Sequence, residues 1–229
     1  MKQLLTTGIV LSRTDFGEAD RIVTLLTPED GKVRLMARGV RRIKSRMAGG
    51  IELFSVSDIT YIKGRGELGT LVSSRLIKHY SKIVQNIDRV QLGYECIKVI
   101  NKVTEDQPES DYFDLLEAAF EALDDSSVSV ELVNLWFQAQ LLKLAGYTPN
   151  LLTDIVGNEL VAEQKYEFDS DAVAFKISDS GRYGADHIKT LRLLFSANKP
   201  ETIGKVEGVK SLLGTLKSLM DSLSDTNFN

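Results

Sequence analysis

A dense run of basic side chains occupies the stretch between residues 32 and 46. Lysine and arginine fill seven of its fifteen positions, and no acidic residue interrupts them. Guanidinium and ammonium groups bind phosphate oxygens, and arginine does so in a bidentate way. The pattern therefore predicts contacts with a phosphate backbone. The cations are Lys32, Arg34, Arg38, Arg41, Arg42, Lys44 and Arg46.

The charge of the whole chain conceals this run. The formal net charge is −4, with 28 Lys and Arg against 32 Asp and Glu. Residues 1–80 carry 14 basic and 8 acidic side chains, whereas residues 81–229 carry 14 basic and 24 acidic ones. A local reversal of sign favours phosphate contact over the alternative, a solvated loop whose charge only aids solubility. It also indicates two modules with different partners.

Aromatic residues are scarce in the basic part of the chain. Proteins that bind single strands usually stack the bases on aromatic rings. Phe54 and Tyr61 lie in a predicted strand, where a core position is favoured for each. Phe16, in the first connection, is the best candidate for an exposed ring. We therefore expect binding led by electrostatics, with little sequence preference and a strong dependence on salt.

The elements that position these residues follow from the hydrophobic pattern of residues 1–80. Short apolar segments alternate with turn residues such as those of Thr27-Pro28-Glu29-Asp30-Gly31. Five short strands in so few residues predict a small barrel such as an OB-fold, with an SH3-like barrel as the alternative. The predicted strands cover residues 8–13, 21–27, 32–38, 51–62 and 68–77.

Residues 81–229 form a mainly helical second domain in this interpretation, so the fold class is α+β. Apolar residues at helical spacing predict helices at 83–103, 110–123, 129–145 and 206–223, the third of them central and buried. Alternating apolar residues predict a small β insertion, a hairpin, at about 151–185. The polar residues 222–229 are expected to fray.

Catalytic chemistry finds little support in the sequence. His79 and His187 are isolated, and no nucleophile, base and acid can be grouped. The run Gly64–Gly69 matches G-x-G-x-x-G, but a strand follows it where a nucleotide site needs a helix, which favours a hairpin turn. We expect a non-enzymatic binding protein without a cofactor. Without an apolar leader or a membrane-length run, we expect it in the cytoplasm.

The only cysteine, Cys96, limits what this chain can build. It excludes an intramolecular disulfide and a cysteine zinc cluster. Cys96 lies on the apolar face of the first predicted helix, which favours a core thiol over a nucleophile. We expect no metal site.

Several short segments, taken in order, resemble the RecO family of bacterial DNA repair proteins. They cover the first 80 residues well and residues 135–150 in part. They include Gly17-Glu18-Ala19-Asp20-Arg21, Leu26-Thr27-Pro28-Glu29-Asp30-Gly31-Lys32, Ala37-Arg38-Gly39-Val40-Arg41-Arg42 and Gly146-Tyr147-Thr148-Pro149.

The resemblance implies an N-terminal OB-fold, a helical domain and a recombination mediator. Such a protein binds single- and double-stranded DNA and anneals complementary strands. It binds the C-terminal tail of single-strand binding protein (SSB) and, with RecR and often RecF, helps load RecA onto SSB-coated DNA. The seven cations would then contact the backbone phosphates. Phe16, the exposed ring, completes the candidate nucleic-acid-binding residues. Trp136 and Lys143 on the third helix are candidates for the SSB-tail pocket.

The family's insertion is zinc-ribbon-like, but this chain has no cysteine at about 151–185. We therefore expect the insertion without zinc, held by Tyr166, Phe168, Val173 and Phe175. Two other functions remain open from the residues alone. One is a protein-interaction adaptor whose basic barrel binds an acidic protein tail, and the other is an RNA-binding OB module.

Overall fold

The N-terminal strands of the computed structural model, which describes residues 2–104 and 110–228, close into a five-stranded barrel. The order around the barrel is β1-β2-β3-β5-β4, and β3 and β5 form a parallel pair in an otherwise antiparallel sheet. This is the OB-fold arrangement, which confirms the predicted fold and excludes the SH3-like alternative. The strands are β1 (Gln3–Phe16), β2 (Asp20–Thr27), β3 (Gly31–Ala37), β4 (Ser55–Ile62) and β5 (Leu68–His79).

Alternation along the strands fills the barrel interior. Val23 and Leu25 on β2 and Leu35 on β3 are almost completely buried, while the intervening side chains point outward. The predicted turn between β2 and β3 is present. In it the Thr27 hydroxyl donates to the Gly31 carbonyl at 2.9 Å, and Gly31 adopts a φ of 63°. Local turn chemistry therefore fixes the register of this hairpin.

The predicted fourth strand starts later than expected. A short 3₁₀ turn covers Ala48–Ile51, and Phe54 has a φ of 57°, so β4 begins only at Ser55. The Phe54 ring lies 5.3 Å from the Tyr94 ring and 5.5 Å from the Phe120 ring, between centroids. Packing against two helices therefore draws Phe54 out of the strand. Phe54 and Tyr61 are both buried, which confirms their predicted core positions.

Two helices follow the barrel, α1 (Ile87–Val103) and α2 (Ser110–Asp124). The first helix was predicted from residue 83. A 3₁₀ turn takes up its first residues, and Asn86 then caps α1 by accepting a hydrogen bond from the Arg89 amide at 3.1 Å. The chain divides into two compact units, residues 1–125 and 126–229. The helices α1 and α2 thus pack in the same unit as the barrel, and the domain boundary at residue 80 stays a prediction.

The second unit is built on a buried helix, as predicted. Eight residues of α3 (Val130–Leu144) are buried, and Trp136 is 1% exposed. The other helices are α4 (Ala185–Ser196), α5 (Pro200–Gly204) and α6 (Val209–Phe228). No helix in the described residues combines the length and the apolar character that crossing a membrane requires.

Two parts of this unit differ from expectation. No helix was predicted at α4, although Ile188, Leu191 and Leu194 are buried at helical spacing. Residues 222–229 were expected to fray, but α6 continues through Phe228, because Leu223 is buried and its carbonyl accepts a hydrogen bond from the Asn227 amide group. The polar composition of residues 222–229 did not indicate that Leu223 is buried and holds this end of the helix.

The β insertion is larger than the predicted hairpin. The hairpin is formed by β7 (Tyr166–Asp169) and β8 (Ala174–Ile177), and β6 (Asn150–Asp154) adds a parallel strand beside β8. Tyr166 and Phe175 are fully buried, and the Phe168 and Phe175 ring centroids are 5.2 Å apart. Val173 is half-buried in the hairpin turn with a φ of 49°. Aromatic packing thus supplies the core of this sheet.

Candidate nucleic-acid interface

The outward face of β1, β2 and β3 places residues in rows across the barrel. The strand register pairs each residue with one residue of the adjacent strand. Paired residues point their side chains to the same face of the sheet. Arg34 lies in the first row, and Ile22 and Met36 lie in the next. The rows are Ser12, Thr24, Arg34 and Leu68, then Thr14, Ile22, Met36 and Thr70.

The two cations of β3 are already engaged. The Lys32 ammonium donates to the Asn101 carbonyl at 3.0 Å, and the Arg34 guanidinium lies 3.7 Å from the Glu67 carboxylate. The Arg34 side chain is 54% exposed, so its pairing with Glu67 is that of a weak surface ion pair. Arg34 can therefore exchange this partner for a phosphate more readily than Lys32 can.

The remaining five cations lie in the loop of residues 38–47, which we call the basic loop. Its first part folds onto the turn between β1 and β2. The Gly39 amide donates to the Asp20 carboxylate at 2.7 Å, and the Arg41 amide donates to the Ala19 carbonyl at 2.9 Å. Gly39 has a φ of 65°, which favours glycine, and Val40 is buried. The chain is thus held as it leaves β3.

Arg41 contacts this anchor at the surface, and its side chain is 35% exposed. Its guanidinium donates to the Gly17 carbonyl at 3.2 Å and lies 3.4 Å from the Asp15 carboxylate. A hydrogen bond from Arg21, together with the positive charges of Arg41 and Arg13, lowers the pKa of Asp15. Asp15 is therefore ionised near neutral pH, and its charge is matched by the arginines around it. The geometry gives Arg41 a structural contact that the sequence did not reveal.

The other four cations of the basic loop are exposed. In the part of the chain that the structure describes, none of them forms an ion pair. The Ser45 amide donates to the Arg42 carbonyl at 2.9 Å and closes a turn, and the Ser74 hydroxyl of β5 donates to the Met47 carbonyl at 2.8 Å. The loop is therefore anchored at both ends. Its exposed cations are Arg38, Arg42, Lys44 and Arg46.

Phe16 lies at the same end of the barrel as the basic loop. Phe16 is 52% exposed, as predicted, and the next residue, Gly17, accepts the hydrogen bond from Arg41. The structure therefore brings the exposed ring and the exposed cations to neighbouring loops. Whether Phe16 touches a ligand stays a prediction.

The G-x-G-x-x-G segment is a hairpin turn, as predicted. It connects the antiparallel strands β4 and β5, and the residues that follow it form a strand where a nucleotide site needs a helix. A shallow pocket beside this turn is lined by Lys32, Arg34 and Lys63 among others. Asp30 lies in the same pocket and pairs with the Lys63 ammonium at 2.6 Å, so the pocket is mixed in charge.

Trp136 and Lys143, the candidates for a partner pocket, do not form one surface. The Trp136 indole NH donates to the Ala197 carbonyl at 2.8 Å, and the ring is buried in the core of the second unit. This corrects the assignment of Trp136 as a partner-binding residue. The ring is covered by the core of its own unit, and the indole NH is already bonded to Ala197. Lys143 is exposed, and its role stays a prediction.

Cys96 is 1% exposed, which confirms its core position, and burial raises the pKa of its thiol. The thiolate is therefore scarce at neutral pH and the sulfur is out of reach. Among the residues described, no group of three or more His, Cys, Asp or Glu side chains is arranged to hold a metal ion.

A closed OB-fold barrel with a strongly basic loop places the chain among OB-fold proteins, many of which bind oligonucleotides or oligosaccharides. Two family models match it. One is described as Recombination protein O N terminal and matches residues 1–80, and the other is Recombination protein O C terminal and matches residues 85–223. The chain belongs to the recombination protein O family, a family of DNA repair proteins.

Similar curated proteins carry the name DNA repair protein RecO. The one from Halalkalibacterium halodurans is 28% identical, over 95% of this chain and 87% of that protein. The one from Listeria welshimeri is 26% identical, over 96% of this chain and 88% of that protein. The one from Dehalococcoides mccartyi is 32% identical, over 64% of this chain but only 57% of that protein.

Proposed function

We propose that this protein is a non-enzymatic recombination mediator that acts in the cytoplasm, at the nucleoid. It binds single- and double-stranded DNA, anneals complementary strands and helps load RecA onto DNA coated with SSB. It binds the SSB C-terminal tail and RecR, and RecF is a further candidate partner. Its effect on RecA is indirect. Membership of a DNA repair family supports the general role.

The exposed cations of the basic loop are the observation that carries this proposal. Arg38, Arg42, Lys44 and Arg46 stand on an OB-fold barrel and have no ion pair among the described residues. An unpaired cation keeps its full attraction for phosphate, whereas a paired one must first give up its partner. These four side chains are therefore the first phosphate contacts, with Arg34 as a further one.

Annealing requires that both strands be held with their bases free. Contacts confined to phosphates meet this requirement because they leave the Watson–Crick edges open to a second strand. Neutralising phosphates also lowers the repulsion between two approaching strands. A compact cationic loop can thus promote pairing without any bond being made or broken.

The proposal is tested by annealing two complementary oligonucleotides, one of them carrying a fluorophore and the other a quencher. The reaction is run with naked strands and with strands coated by SSB. We expect faster annealing than in buffer on both substrates. Loss of the acceleration in R42E/K44E, with retention in K205E/K210E, would tie the activity to the basic loop. Failure of the unaltered protein to bind or anneal either substrate contradicts the proposal.

The same assay separates the two functions left open by the residues. An RNA strand of the same sequence that displaces DNA completely would indicate an RNA-binding module. An acidic peptide that is bound tightly, without any annealing of DNA, would indicate an adaptor. Replacing Lys143 by Glu tests whether this exposed lysine contributes to binding of the SSB tail peptide.

A further inference from the structure

Ile43 stands fully in solvent at the tip of the basic loop. Its relative exposure is 104%, the highest of the large apolar side chains in the described residues. It is the second residue of the turn that the Ser45 amide closes on the Arg42 carbonyl, and Lys44 is the third. An isoleucine at this position gives the folded protein no packing in return for its exposure.

The turn presents Ile43 in a defined place. Val40 is buried before it, and the Arg41 amide donates to the Ala19 carbonyl. After it, the Met47 carbonyl accepts from the Ser74 hydroxyl of β5. Because isoleucine is also stiff at χ1, little side-chain freedom is lost when a ligand covers it.

The surroundings of Ile43 specify the chemistry of that ligand. Arg42 and Lys44 flank it, and neither forms an ion pair among the described residues. A ligand that fits must offer anionic groups on both sides of an apolar surface. A nucleic-acid strand does this, since each base lies between two phosphates. An anionic membrane also combines the two, but one isoleucine buries too little apolar surface to anchor a protein there.

We propose that Ile43 contacts the face of an unstacked base in single-stranded DNA, while Arg42 and Lys44 bind the phosphates on either side. This inference rests on the proposed function and adds a base contact to it. Single strands are favoured over duplex because bases in a duplex are already covered by their neighbours. Opening one duplex step would cancel most of what burial of one isoleucine supplies.

The test compares an ordinary thymidine strand with an abasic strand of equal length, which has the same phosphates but no bases. Fluorescence anisotropy measures the binding of both strands by the unaltered protein, by I43A and by the control L5A. Leu5, near the start of β1, is 74% exposed, whereas the basic loop begins against the turn that follows the other end of β1. Because neither side chain is buried, both variants are expected to fold, which circular dichroism checks.

We expect I43A to bind the thymidine strand about five- to tenfold more weakly, the effect of losing part of one buried aliphatic side chain. Its affinity for the abasic strand and its salt dependence should not change, and L5A should behave like the unaltered protein. A 2-aminopurine base in the strand should change its fluorescence on binding the unaltered protein and respond less to I43A.

Three results overturn the inference while the proposed function stands. The first is that I43A and the unaltered protein bind the thymidine strand with equal affinity. The second is that I43A loses affinity equally for the thymidine and the abasic strand. The third is that Ile43 is needed for binding to anionic phosphatidylserine vesicles, while binding to DNA does not depend on the bases. If the unaltered protein binds no strand at all, the proposed function fails and the inference fails with it.

Discussion

Reversing two cations of the basic loop should change how DNA binding depends on salt. Each phosphate neutralised on a single strand contributes about 0.7 to the slope of log affinity against log salt. Four unpaired cations therefore predict a slope near −3, roughly a fiftyfold loss of affinity between 50 and 200 mM salt. R42E/K44E removes two contacts, so the slope should fall to about half and affinity at 0.1 M salt by about 25-fold.

The matched control is K205E/K210E, which makes the same change in net charge on exposed lysines of the second unit. Anisotropy titrations at four or more salt concentrations give both slopes. If the control lowers the slope as much as R42E/K44E does, overall charge governs binding and the basic loop has no special place in it.

Arg41 provides a stricter comparison, because it is adjacent to Arg42 but bonded to Gly17 and close to Asp15. R42A should lower the slope by about 0.7, whereas R41A should leave it nearly unchanged and lower the free energy of unfolding instead. If R41A lowers the slope as much as R42A does, the inference that the unpaired cations are the ones that bind phosphate is wrong.

Two further predictions concern the stability of each unit, followed by urea unfolding. Burial and the charge of Glu121 raise the pKa of Glu117, so ionisation of this carboxyl disfavours the folded state. E117Q should therefore be the more stable form at pH 7, and its advantage should shrink as pH falls through the raised pKa. G93A should destabilise by about 1–3 kcal/mol, since the added Cβ would lie 2.7 Å from the Phe54 ring. G214A, on an open helix surface, should instead stabilise by up to about 1 kcal/mol, and the reverse order would contradict the packing argument.

The sequence predicted the barrel because its determinants are local. Strand alternation, the Thr27–Gly31 turn chemistry and the spacing of apolar runs all act within a few residues. It placed Phe54 in the core but in the wrong backbone state, because the Tyr94 and Phe120 rings that hold it come from distant segments. The missed helix α4 had a readable pattern, with Ile188, Leu191 and Leu194 at helical spacing.

The sequence predicted which residues make up the candidate site, but not which of them are free to bind a ligand. A run of seven cations can be counted in a sequence, yet its ability to bind phosphate depends on which of them are already paired. Lys32 has its partner on α1 and Arg41 has its partner on the turn between β1 and β2. Both interactions join segments that are distant in the sequence. Ile43 is the converse case. Its apolar type predicts burial, and only its place at the tip of an anchored turn leaves it exposed between unpaired charges. Pairing and exposure, both products of tertiary structure, therefore decide which residues of a basic segment can meet a ligand.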